Sequence, residues 1–309
     1  MVSTSDYLSV TREDIDALFP TLERRINKGD MGRVLCVCGS YDPCGSAMCG
    51  AAYFSAAAAY KCGAGVVEIF THRKNYEALA SLVPEAVFSL YDTDVEDEDT
   101  ICDRLLSQIE KSDSIILGCG LGKSSLSREL VMITLQSANC PMVIDADGLN
   151  ILAESDELKE LVINRKNYTV LTPHPGEMSR LSGLSISEIL NDTVSAATAL
   201  SNSLGAVTLL KDHNTVITDG KRLFINQSGN AGMASAGMGD VLAGIIGALL
   251  ARSTMSENTE NQNLPSALYR TATAAYVHGL AGDIAAAELG EYSLTASDVI
   301  RAICKAIHS

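Results

Sequence analysis

The residues best suited to chemistry lie in a glycine-rich stretch, AGMGDVLAGIIGALLA at positions 236–251, whose only charged residue is Asp240. We interpret this stretch as a loop that leads into a helix, because small residues let an anionic ligand approach the free amide groups of a helix start. A carboxylate beside such a site can accept the proton of a hydroxyl group that attacks a phosphate. Asp240 could equally be the N-cap of the helix, and the stretch alone leaves both interpretations open.

Three further groups of polar residues follow predicted strands. Asp145 and Asp147 come directly after an apolar run, where they could bind a metal, take up a proton or cap a helix. His174 stands between two prolines and is expected to contact a ligand, whereas metal binding by His174 together with Glu177 is the weaker interpretation. Lys211 ends an apolar run, where a phosphate-bearing ligand and a surface salt bridge explain its charge about equally well.

A fourth candidate is the segment LGCGLGKS at 117–124, which resembles the phosphate loop GxxxxGKS except that Leu117 replaces the first glycine. The tight turn of a phosphate loop depends on that glycine. We therefore interpret the segment as a glycine-lined strand end that lets a ligand approach the main chain.

The elements that position these groups alternate along the chain as apolar runs and amphipathic or small-residue stretches. This rhythm is typical of a parallel sheet covered by helices on both faces, and such sheets bind ligands at the carboxyl ends of their strands. After position 206 two short alternating runs joined by Asp219 and Gly220 indicate a hairpin. The predicted strands are 33–39, 65–71, 86–90, 114–120, 141–147, 168–174, 206–211, 214–220 and 221–227, and the predicted helices are 45–63, 73–82, 96–110, 124–137, 176–181, 185–204, 264–289 and 295–308.

Composition narrows the class of protein. A chain of 309 residues with 47% hydrophobic residues can bury a large core, and we expect a single domain over residues 1–309. The net charge of −15 disfavours nucleic acid and anionic membranes as partners. The first residues show no secretory signal, and no apolar run is long enough to span a membrane. We interpret the low-complexity segment 253–263 as a surface loop.

The nine cysteines contain no CxxC pair. Cys36 and Cys38 lie two positions apart in a predicted strand, and we interpret them as facing opposite sides, which would exclude a shared metal. We expect the cysteines to be reduced core thiols, as in a reducing cytoplasm.

Six segments, taken in order, resemble motifs of the ADP/ATP-dependent NAD(P)H-hydrate dehydratase family, the carboxy-terminal domain of YjeF-type proteins in the ribokinase-like superfamily. Each motif is weak alone, but the six in order over roughly 12–307 are specific. The resemblance implies a three-layer α/β/α fold with a mostly parallel central sheet. The segments are GRVLCVCGSYDPCGSAMCGAA, LGCGLG, VIDADGLN, LTPHPGE, LLKDHNTVI and GNAGMASAGMGDVLAGIIGALLA.

The resemblance also implies a reaction. Enzymes of this family restore NADH or NADPH from the S-form of the hydrated cofactor while they cleave ADP or ATP. The hydroxyl group of the hydrate is phosphorylated, and loss of phosphate restores the ring double bond. Asp240 would deprotonate the hydroxyl, and the amides of Gly237, Met238, Gly239 and Asp240 would form an anion hole.

By motif position, the resemblance implies two sets of binding residues and one metal contact. Glu177 occupies the place of a glutamate that organises Mg²⁺ through water, so Mg²⁺ is implied without a dedicated cage of protein ligands. The positions that contact the hydrate are Ser46, Gly120, His174 and Asp240. The positions that hold the adenine nucleotide are Lys211, Asp212, His213, Asn214, Thr215 and Gly239.

Ser46, Asp212 and Met238 depart from the residues that the family usually shows. Backbone amides do not depend on the side chain at 238, so the anion hole should tolerate Met238. Asp212 could weaken nucleotide binding or face a ribose hydroxyl. We expect no fused epimerase domain, so a separate epimerase would convert the R-form of the hydrate. The family implies a homotetramer, and we expect it in the cytoplasm.

Two other functions stay open at this point. A small-molecule kinase of the same superfamily, such as a hydroxyethylthiazole kinase, would share the fold and the base but release a phosphorylated product. A non-catalytic nucleotide sensor would keep the pocket and dispense with the base. Loss of turnover on Asp240→Asn would exclude the sensor.

Overall fold

The fold is built on two sheets, seen in a computed structural model that describes residues 7–42, 46–252 and 266–308. The predicted loop 253–263 lies outside the described residues. In chain order the strands are β1 (Arg33–Val37), β2 (Tyr41–Asp42), β3 (Ser46–Ala47), β4 (Val66–His72), β5 (Val87–Tyr91), β6 (Ser114–Leu117), β7 (Met142–Ile144), β8 (Thr169–Leu171), β9 (Val207–Leu210), β10 (Thr215–Thr218) and β11 (Leu223–Asn226).

The large sheet has the strand order β11-β10-β9-β8-β7-β6-β1-β4-β5, while β2 and β3 form a separate small hairpin. Every pairing from β9 through to β5 is parallel. The pairings β9-β10 and β10-β11 are antiparallel, and β10 with β11 forms the hairpin predicted at Asp219 and Gly220. The central strands are buried on both faces, which explains their continuous apolar sequences.

Helices cover both faces of the large sheet and enclose two cores. One core joins the sheet to the helices within residues 12–82, 238–251 and 267–308. The other core joins the opposite face of the sheet to the helices within residues 98–204. In chain order the helices are α1 (Arg12–Leu18), α2 (Cys49–Lys61), α3 (Tyr76–Leu82), α4 (Glu98–Ile109), α5 (Ser125–Ser137), α6 (Asp147–Ala153), α7 (Asp156–Ile163), α8 (Pro175–Ser182), α9 (Ile186–Asn191), α10 (Thr193–Leu204), α11 (Met238–Ala251), α12 (Ala267–Leu289) and α13 (Ala296–His308).

The helix α11 comes unusually close to its neighbours because it carries glycines on its packed faces. A Cβ atom at Gly244 would lie 2.3 Å from the main-chain oxygen of Ser55 in α2. A Cβ atom at Gly247 would lie 2.6 Å from the side chain of Ile116 in β6. The glycines of the apolar run therefore let α11 lie directly against the sheet, and this contact fixes where its first turn begins.

The expectation that Cys36 and Cys38 face opposite sides of the sheet is wrong. Residues two apart on a strand point to the same face, and both thiols lie in the core that contains α2 and α11. The cysteines of the described residues are all unpaired, and most are buried, as expected. Cys49 is half-buried and Cys304 is exposed.

Several element boundaries differ from the predictions for local reasons. The helix predicted from position 45 starts at Cys49, because Ser46 and Ala47 pair with the β2 strand. The helix predicted over 185–204 is divided at Asp192, whose side chain accepts a hydrogen bond from the amide of Ser195 and so starts a new helix. The short helices α1 and α7 were not predicted. Among the described residues, none of the helices combines the length and the apolar character needed to cross a membrane.

Candidate active site

The predicted site residues converge at the carboxyl ends of four neighbouring strands. Asp145 directly follows β7, and Lys211 directly follows β9. The Lys211 Nζ atom lies 2.7 Å from Asp145 Oδ1 and 3.8 Å from Glu177 Oε2. Burial alone would lower the pKa of Lys211, but the carboxylates of Asp145 and Glu177 outweigh it and raise that pKa. Lys211 is therefore an ammonium ion shared by two carboxylates, and its salt bridge with Asp145 is partly buried and not on the surface.

Asp240 lies in the first turn of α11 but does not cap it. The N-cap is Gly237, which has a φ of 91°, and it makes no side-chain cap bond. The Asp240 carboxylate instead lies within 4.8 Å of both Cys119 Sγ and a carboxylate oxygen of Asp145. Burial raises the pKa of Asp240 to about 6 and the charge of Asp145 adds to this rise, while Cys119 and Lys211 act in the opposite direction. A carboxylate with this pKa is ionised near neutral pH and has the proton affinity of an effective base.

The amides at the start of α11 face the same group of charges. The first N–H groups of a helix have no acceptor within the helix, so they are available to an anion. A Cβ atom at Gly239 would lie 3.3 Å from Asp145 Oδ2 and 3.4 Å from Lys211 Nζ. The Met238 side chain is buried in the core, only 6% exposed. An anion at these amides would thus meet main-chain donors and a nearby ammonium group, with no part taken by the Met238 side chain.

Asp147 holds the glycine loop in place and does not cap α6. It is the first residue of that helix, and its carboxylate accepts a hydrogen bond from the amide of Gly122 at 2.8 Å. The N-cap position is taken by Ala146, whose φ of 51° makes it the only non-glycine residue with a positive φ in the described chain. This strained residue lies between the two acids that follow β7, as backbone strain often does at functional sites.

The segment LGCGLGKS does not fold as a phosphate loop. The amide of Gly122 is already bonded to Asp147, and Ser124 caps α5 by accepting a hydrogen bond from the amide of Ser127. Lys123 is exposed. The interpretation as a glycine-lined strand end agrees with the φ angles of 111° and 62° at Gly118 and Gly120.

His174 and Glu177 form the start of α8 as a capping box. His174 Nδ1 accepts a hydrogen bond from the amide of Gly176, and Glu177 Oε2 accepts one from the amide of His174. The remaining ring proton of neutral His174 therefore lies on Nε2, on a side chain that is 51% exposed. Burial, with the charges of Lys211 and Arg180, lowers the pKa of His174. The Nε2 atom lies 3.6 Å from Glu177 Oε1, beyond hydrogen-bond distance, so its N–H group can donate to a ligand oxygen.

Glu177 is a buried acid of α8 that faces Lys211. Its side chain is 6% exposed, and burial raises its pKa to about 7, with the charge of Lys211 opposing this rise and that of Asp145 adding to it. It therefore changes its protonation state near neutral pH, unlike an ordinary surface glutamate.

A cavity of about 520 Å³ opens beside Gly239. Four of the residues predicted to hold a nucleotide line it, namely Lys211, Asp212, His213 and Gly239. Asn214 and Thr215 follow His213 but are not among its lining residues. The remaining walls are largely apolar and come from the loop 228–234, from α11 and from α12; they comprise Ser228, Gly229, Asn230, Ala231, Met233, Ala234, Met238, Leu242 and His278.

The carboxylate of Asp212 is tied to its own loop. It accepts a hydrogen bond from the amide of His213 at 2.8 Å, and His213 Nδ1 lies 3.3 Å away from it. The loop is closed further by Thr215 Oγ1, which donates to the main-chain oxygen of Asp212 at 3.0 Å. Asp212 thus shapes the turn at the rim of the cavity.

Ser46 and Gly120 both lie beside the start of α2. Ser46 is exposed on the short β3 strand, and a Cβ atom at Gly120 would lie 2.8 Å from Ala51 Cβ and 2.9 Å from Met48 Cβ. Gly120 thus packs against the chain that follows Ser46, and no larger residue fits there.

Sequence reasoning missed three residues at this site. His278 of α12 borders the cavity with a buried Nε2 atom that has no hydrogen-bond partner among the described residues, and burial lowers its pKa to about 4. Asp283, one turn further along α12, accepts hydrogen bonds at 2.9 Å from the amide of Gly229 and from Asn230 Nδ2. Cys119 lies beside Asp240. The polar pair His278 and Asp283 in an otherwise apolar helical stretch was the signal that could have revealed the first two.

The arrangement does not offer a cage of protein ligands for a divalent cation. Among the described residues, the one cluster of possible ligands comprises Cys119, Asp145 and Asp240. It includes a thiol, which Mg²⁺ does not favour, and the Lys211 ammonium group already lies 2.7 Å from Asp145. The oxygen donors present fit an ion that is held mainly by nucleotide phosphates and water.

Comparisons with known proteins give consistent matches. The family model described as NAD(P)H-hydrate dehydratase matches residues 34–305. A bifunctional NAD(P)H-hydrate repair enzyme of Thermofilum pendens is 35% identical over 289 residues, which are 92% of this chain and 51% of that protein. An ADP-dependent (S)-NAD(P)H-hydrate dehydratase of Neisseria meningitidis is 33% identical over 262 residues, which are 84% of this chain and 78% of that protein.

The chain spans about half the length of several of these curated relatives. Among solved structures, an ADP/ATP-dependent NAD(P)H-hydrate dehydratase from Bacillus subtilis, co-crystallised with ATP/Mg²⁺, superposes with a TM-score of 0.79. The two sequences are 24% identical, and the match covers 98% of both chains. This likeness confirms the predicted three-layer α/β/α, ribokinase-like fold.

Proposed function

We propose that this chain, which belongs to the NAD(P)H-hydrate dehydratase family, removes water from the S-form of hydrated NADH or NADPH and couples this step to cleavage of ADP or ATP. The observation that carries the proposal is the position of Asp240. Its carboxylate has a raised pKa and lies in the first turn of α11, next to free amides and the Lys211 ammonium group. That is the arrangement needed to activate a hydroxyl group beside a phosphate.

In the first step Asp240 acts as the general base. The hydroxyl oxygen of the hydrate attacks the terminal phosphorus of the nucleotide, and its proton passes to the Asp240 carboxylate. The new oxygen–phosphorus bond forms as the bond to the bridging oxygen breaks. AMP leaves when the co-substrate is ADP, and ADP leaves when it is ATP.

Charge on the transferred phosphoryl group is stabilised by the start of α11. We assign the anion hole to the amides of Gly237, Met238, Gly239 and Asp240. Lys211 Nζ lies 3.4 Å from the Cβ position of Gly239, so its positive charge reaches the same place. Asp145 and Glu177 keep Lys211 charged and correctly placed.

In the second step the phosphorylated intermediate loses inorganic phosphate. The carbon–oxygen bond to the phosphate breaks, and a proton leaves the neighbouring ring carbon, so that the ring double bond of the reduced nicotinamide is restored. We place the hydrate between Ser46, Gly120 and His174 on one side and Asp240 on the other. His174 Nε2–H is the donor available to an oxygen of the substrate.

We place the adenine nucleotide in the 520 Å³ cavity. Lys211, Asp212, His213 and Gly239 line it, and the apolar side chains of Met233 and Leu242 suit a base. Asn214 and Thr215 would act through the turn that they share with Asp212, which Thr215 closes by its hydrogen bond.

Mg²⁺ would enter with the nucleotide, and Glu177 is the residue that we propose to hold one of its waters. The ion would neutralise charge on the phosphates during transfer. Asp145 stays paired with Lys211 in this scheme.

The same proposal has consequences for partners and context. Residues 1–309 would act as one domain, and an NAD(P)H-hydrate epimerase activity would supply the S-form from the R-form. We propose assembly as a homotetramer and a reducing, cytoplasmic environment, the latter supported by the unpaired cysteines of the described residues.

The decisive experiment incubates the protein with enzymatically hydrated NADH or NADPH and with ADP or ATP in parallel. We expect the absorbance of reduced nicotinamide to reappear only when a nucleotide and Mg²⁺ are both present, with one AMP or ADP released for each cofactor restored. Asp240→Asn serves as the matched control, because it keeps the shape of the side chain and removes the base.

One outcome would overturn the proposal in favour of a kinase. In that case no cofactor is restored with either nucleotide, while a thiazole alcohol or a sugar becomes phosphorylated by the same preparation. Retained nucleotide binding with no turnover on any of these substrates would favour the sensor instead.

A further inference from the structure

Cys119 is the one buried thiol of the described residues that lies against the base. It is fully buried in the loop between β6 and α5, with Gly118 and Gly120 on either side. Its Sγ atom, an oxygen of Asp145 and an oxygen of Asp240 all lie within 4.8 Å of one another. The main-chain oxygen of Cys119 accepts a hydrogen bond from the amide of Gly39 at 2.9 Å, which anchors the loop to the chain that follows β1.

We propose that Cys119 is a positioning residue for the reaction, whose thiol proton is directed at the Asp240 carboxylate and holds it in its ionised, correctly oriented form. This inference rests on the proposed role of Asp240 as the base. It also assigns a function to Cys119, which the sequence indicated only as a core thiol.

The surroundings of Cys119 favour this direction for its proton. The neighbouring thiol of Cys38 already donates to the main-chain oxygen of Ile116 at 3.6 Å. The Cys119 thiol lies near two groups that could accept its proton, the Cys38 sulfur and the Asp240 carboxylate, and an ionised carboxylate is by far the stronger acceptor.

The other groups that face Asp240 do not replace this donor. Asp145 at the end of β7 and Asp147 of α6 are negative and oppose its ionisation. Lys211 at the end of β9 favours ionisation, but it is engaged with Asp145 at 2.7 Å. Among the described residues, no N–H group donates a hydrogen bond to the Asp240 carboxylate, and the Cys119 thiol within 4.8 Å is the donor that we assign to it.

The first test is spectroscopic and does not depend on any reaction. The S–H stretching band lies in an infrared region free of other protein absorption, and the difference between the unmodified protein and Cys119→Ala isolates the band of this thiol. We expect the band to be shifted as for a strong hydrogen bond at pH 8 and to return towards the unbonded position as pH falls through about 6. Asp240→Asn should abolish this pH dependence.

The second test uses the proposed reaction. In Cys119→Ala the donor is lost, so the pKa of Asp240 rises and the acidic limb of the kcat/KM profile moves to higher pH, with about a fivefold fall in kcat above that limb. The KM for the nucleotide should not change. Cys119→Ser keeps a donor and should restore the position of the limb. Cys102→Ala, which removes a buried thiol on α4, is the matched control and should leave the profile unchanged.

Two results would overturn the inference. One is an S–H band at the unbonded position that does not respond to pH or to Asp240→Asn. The other is a Cys119→Ala profile that coincides with that of Cys102→Ala. A failure of the cofactor-recovery assay, by contrast, would leave the infrared result to decide whether the thiol serves Asp240.

Discussion

Partly buried charges occur at both ends of the large sheet, and they are satisfied in different ways. At the amino end, Arg165 precedes β8 and donates to the main-chain oxygens of Leu135, Ala138 and Cys140 at 3.4, 3.0 and 2.7 Å. At the carboxyl end, Asp240 carries a raised pKa and accepts no hydrogen bond from an N–H group of the described residues. At the amino end the charge is bonded to fixed main-chain groups, whereas at the carboxyl end the charge remains available to a ligand.

This difference distinguishes charges that stabilise the fold from charges that are held ready for a reaction. A charge that uses its bonding capacity on the protein stabilises the fold and has nothing left for a ligand. A charge held among other charges, with its proton affinity displaced, weakens the fold and is ready to react. The comparison predicts that removing a charge has opposite effects on stability at the two ends.

The largest effect should come from Asp240→Asn on turnover. Loss of the general base is expected to lower kcat for cofactor recovery about 10³-fold, while nucleotide binding changes little. Single-turnover kinetics with calorimetric measurement of nucleotide binding would check this. A fall in kcat of less than tenfold would contradict the assignment of Asp240 as the base.

The next largest effect should come from Arg165→Met on stability. Three buried main-chain oxygens would lose their donor, and we expect the free energy of unfolding to fall by roughly 2–3 kcal/mol. Urea unfolding monitored by circular dichroism would measure it. Arg128→Met is the matched control, because Arg128 pairs with Glu154 on the surface and should cost less than about 1 kcal/mol. Activity per folded molecule should not change in either variant.

The same unfolding experiment on Asp240→Asn should show the opposite sign. Burial raises the pKa of Asp240 from 3.8 to about 6, so ionisation is less favourable in the folded state than in the unfolded chain. The resulting destabilisation is complete above pH 6 and disappears as pH falls towards 4. At pH 8 the variant should be more stable by on the order of 1–3 kcal/mol, and at pH 4 the two proteins should coincide. If Asp240→Asn were less stable than the unmodified protein at pH 8, this would contradict the difference proposed between the two ends of the sheet.

The smallest expected effect concerns the wall of the cavity. Asp283→Asn weakens the two hydrogen bonds that hold Gly229 and Asn230, so the loop 228–234 should be less well placed. We expect a rise of about threefold in the KM for the nucleotide with kcat nearly unchanged. Asp97→Asn, at the N-cap of α4 on the opposite face of the sheet, is the control. Equal effects from both variants would show that the Asp283 contacts have no special bearing on the nucleotide.

Much of this architecture can be predicted from local patterns in the sequence. Continuous apolar runs predict strands buried on both faces, and polar residues that follow them predict a site where the strands end. The sequence alone therefore predicts that three residues lie at the same end of the sheet, namely Asp145, His174 and Lys211. The order of the strands could not, because it depends on which helices pack on which face.

The residues that escaped prediction act through contacts between distant segments. Asp283 meets Gly229 across 54 positions of the chain, and Cys119 meets Asp240 through the packing of α11 on the sheet. The contact that Asp147 makes was not among the uses considered from the sequence, for a similar reason. A cap is the commonest local use of an aspartate at a helix start, but here its carboxylate accepts a hydrogen bond from the amide of Gly122 in another loop. Local pattern gives the type of residue available, and packing decides what it does.

The close seating of α11 has a consequence for synthesis. The strands β1 and β4 to β9 leave the ribosome before this helix, so the nascent sheet already presents Cys119, Asp145 and Lys211 while the residue proposed as the base is still missing. Gly244 and Gly247 let the helix lie in direct contact with Ser55 and Ile116, so Asp240 reaches Asp145 and Cys119 only once the helix is docked. Catalytic competence would thus arise late in synthesis, when this contact forms.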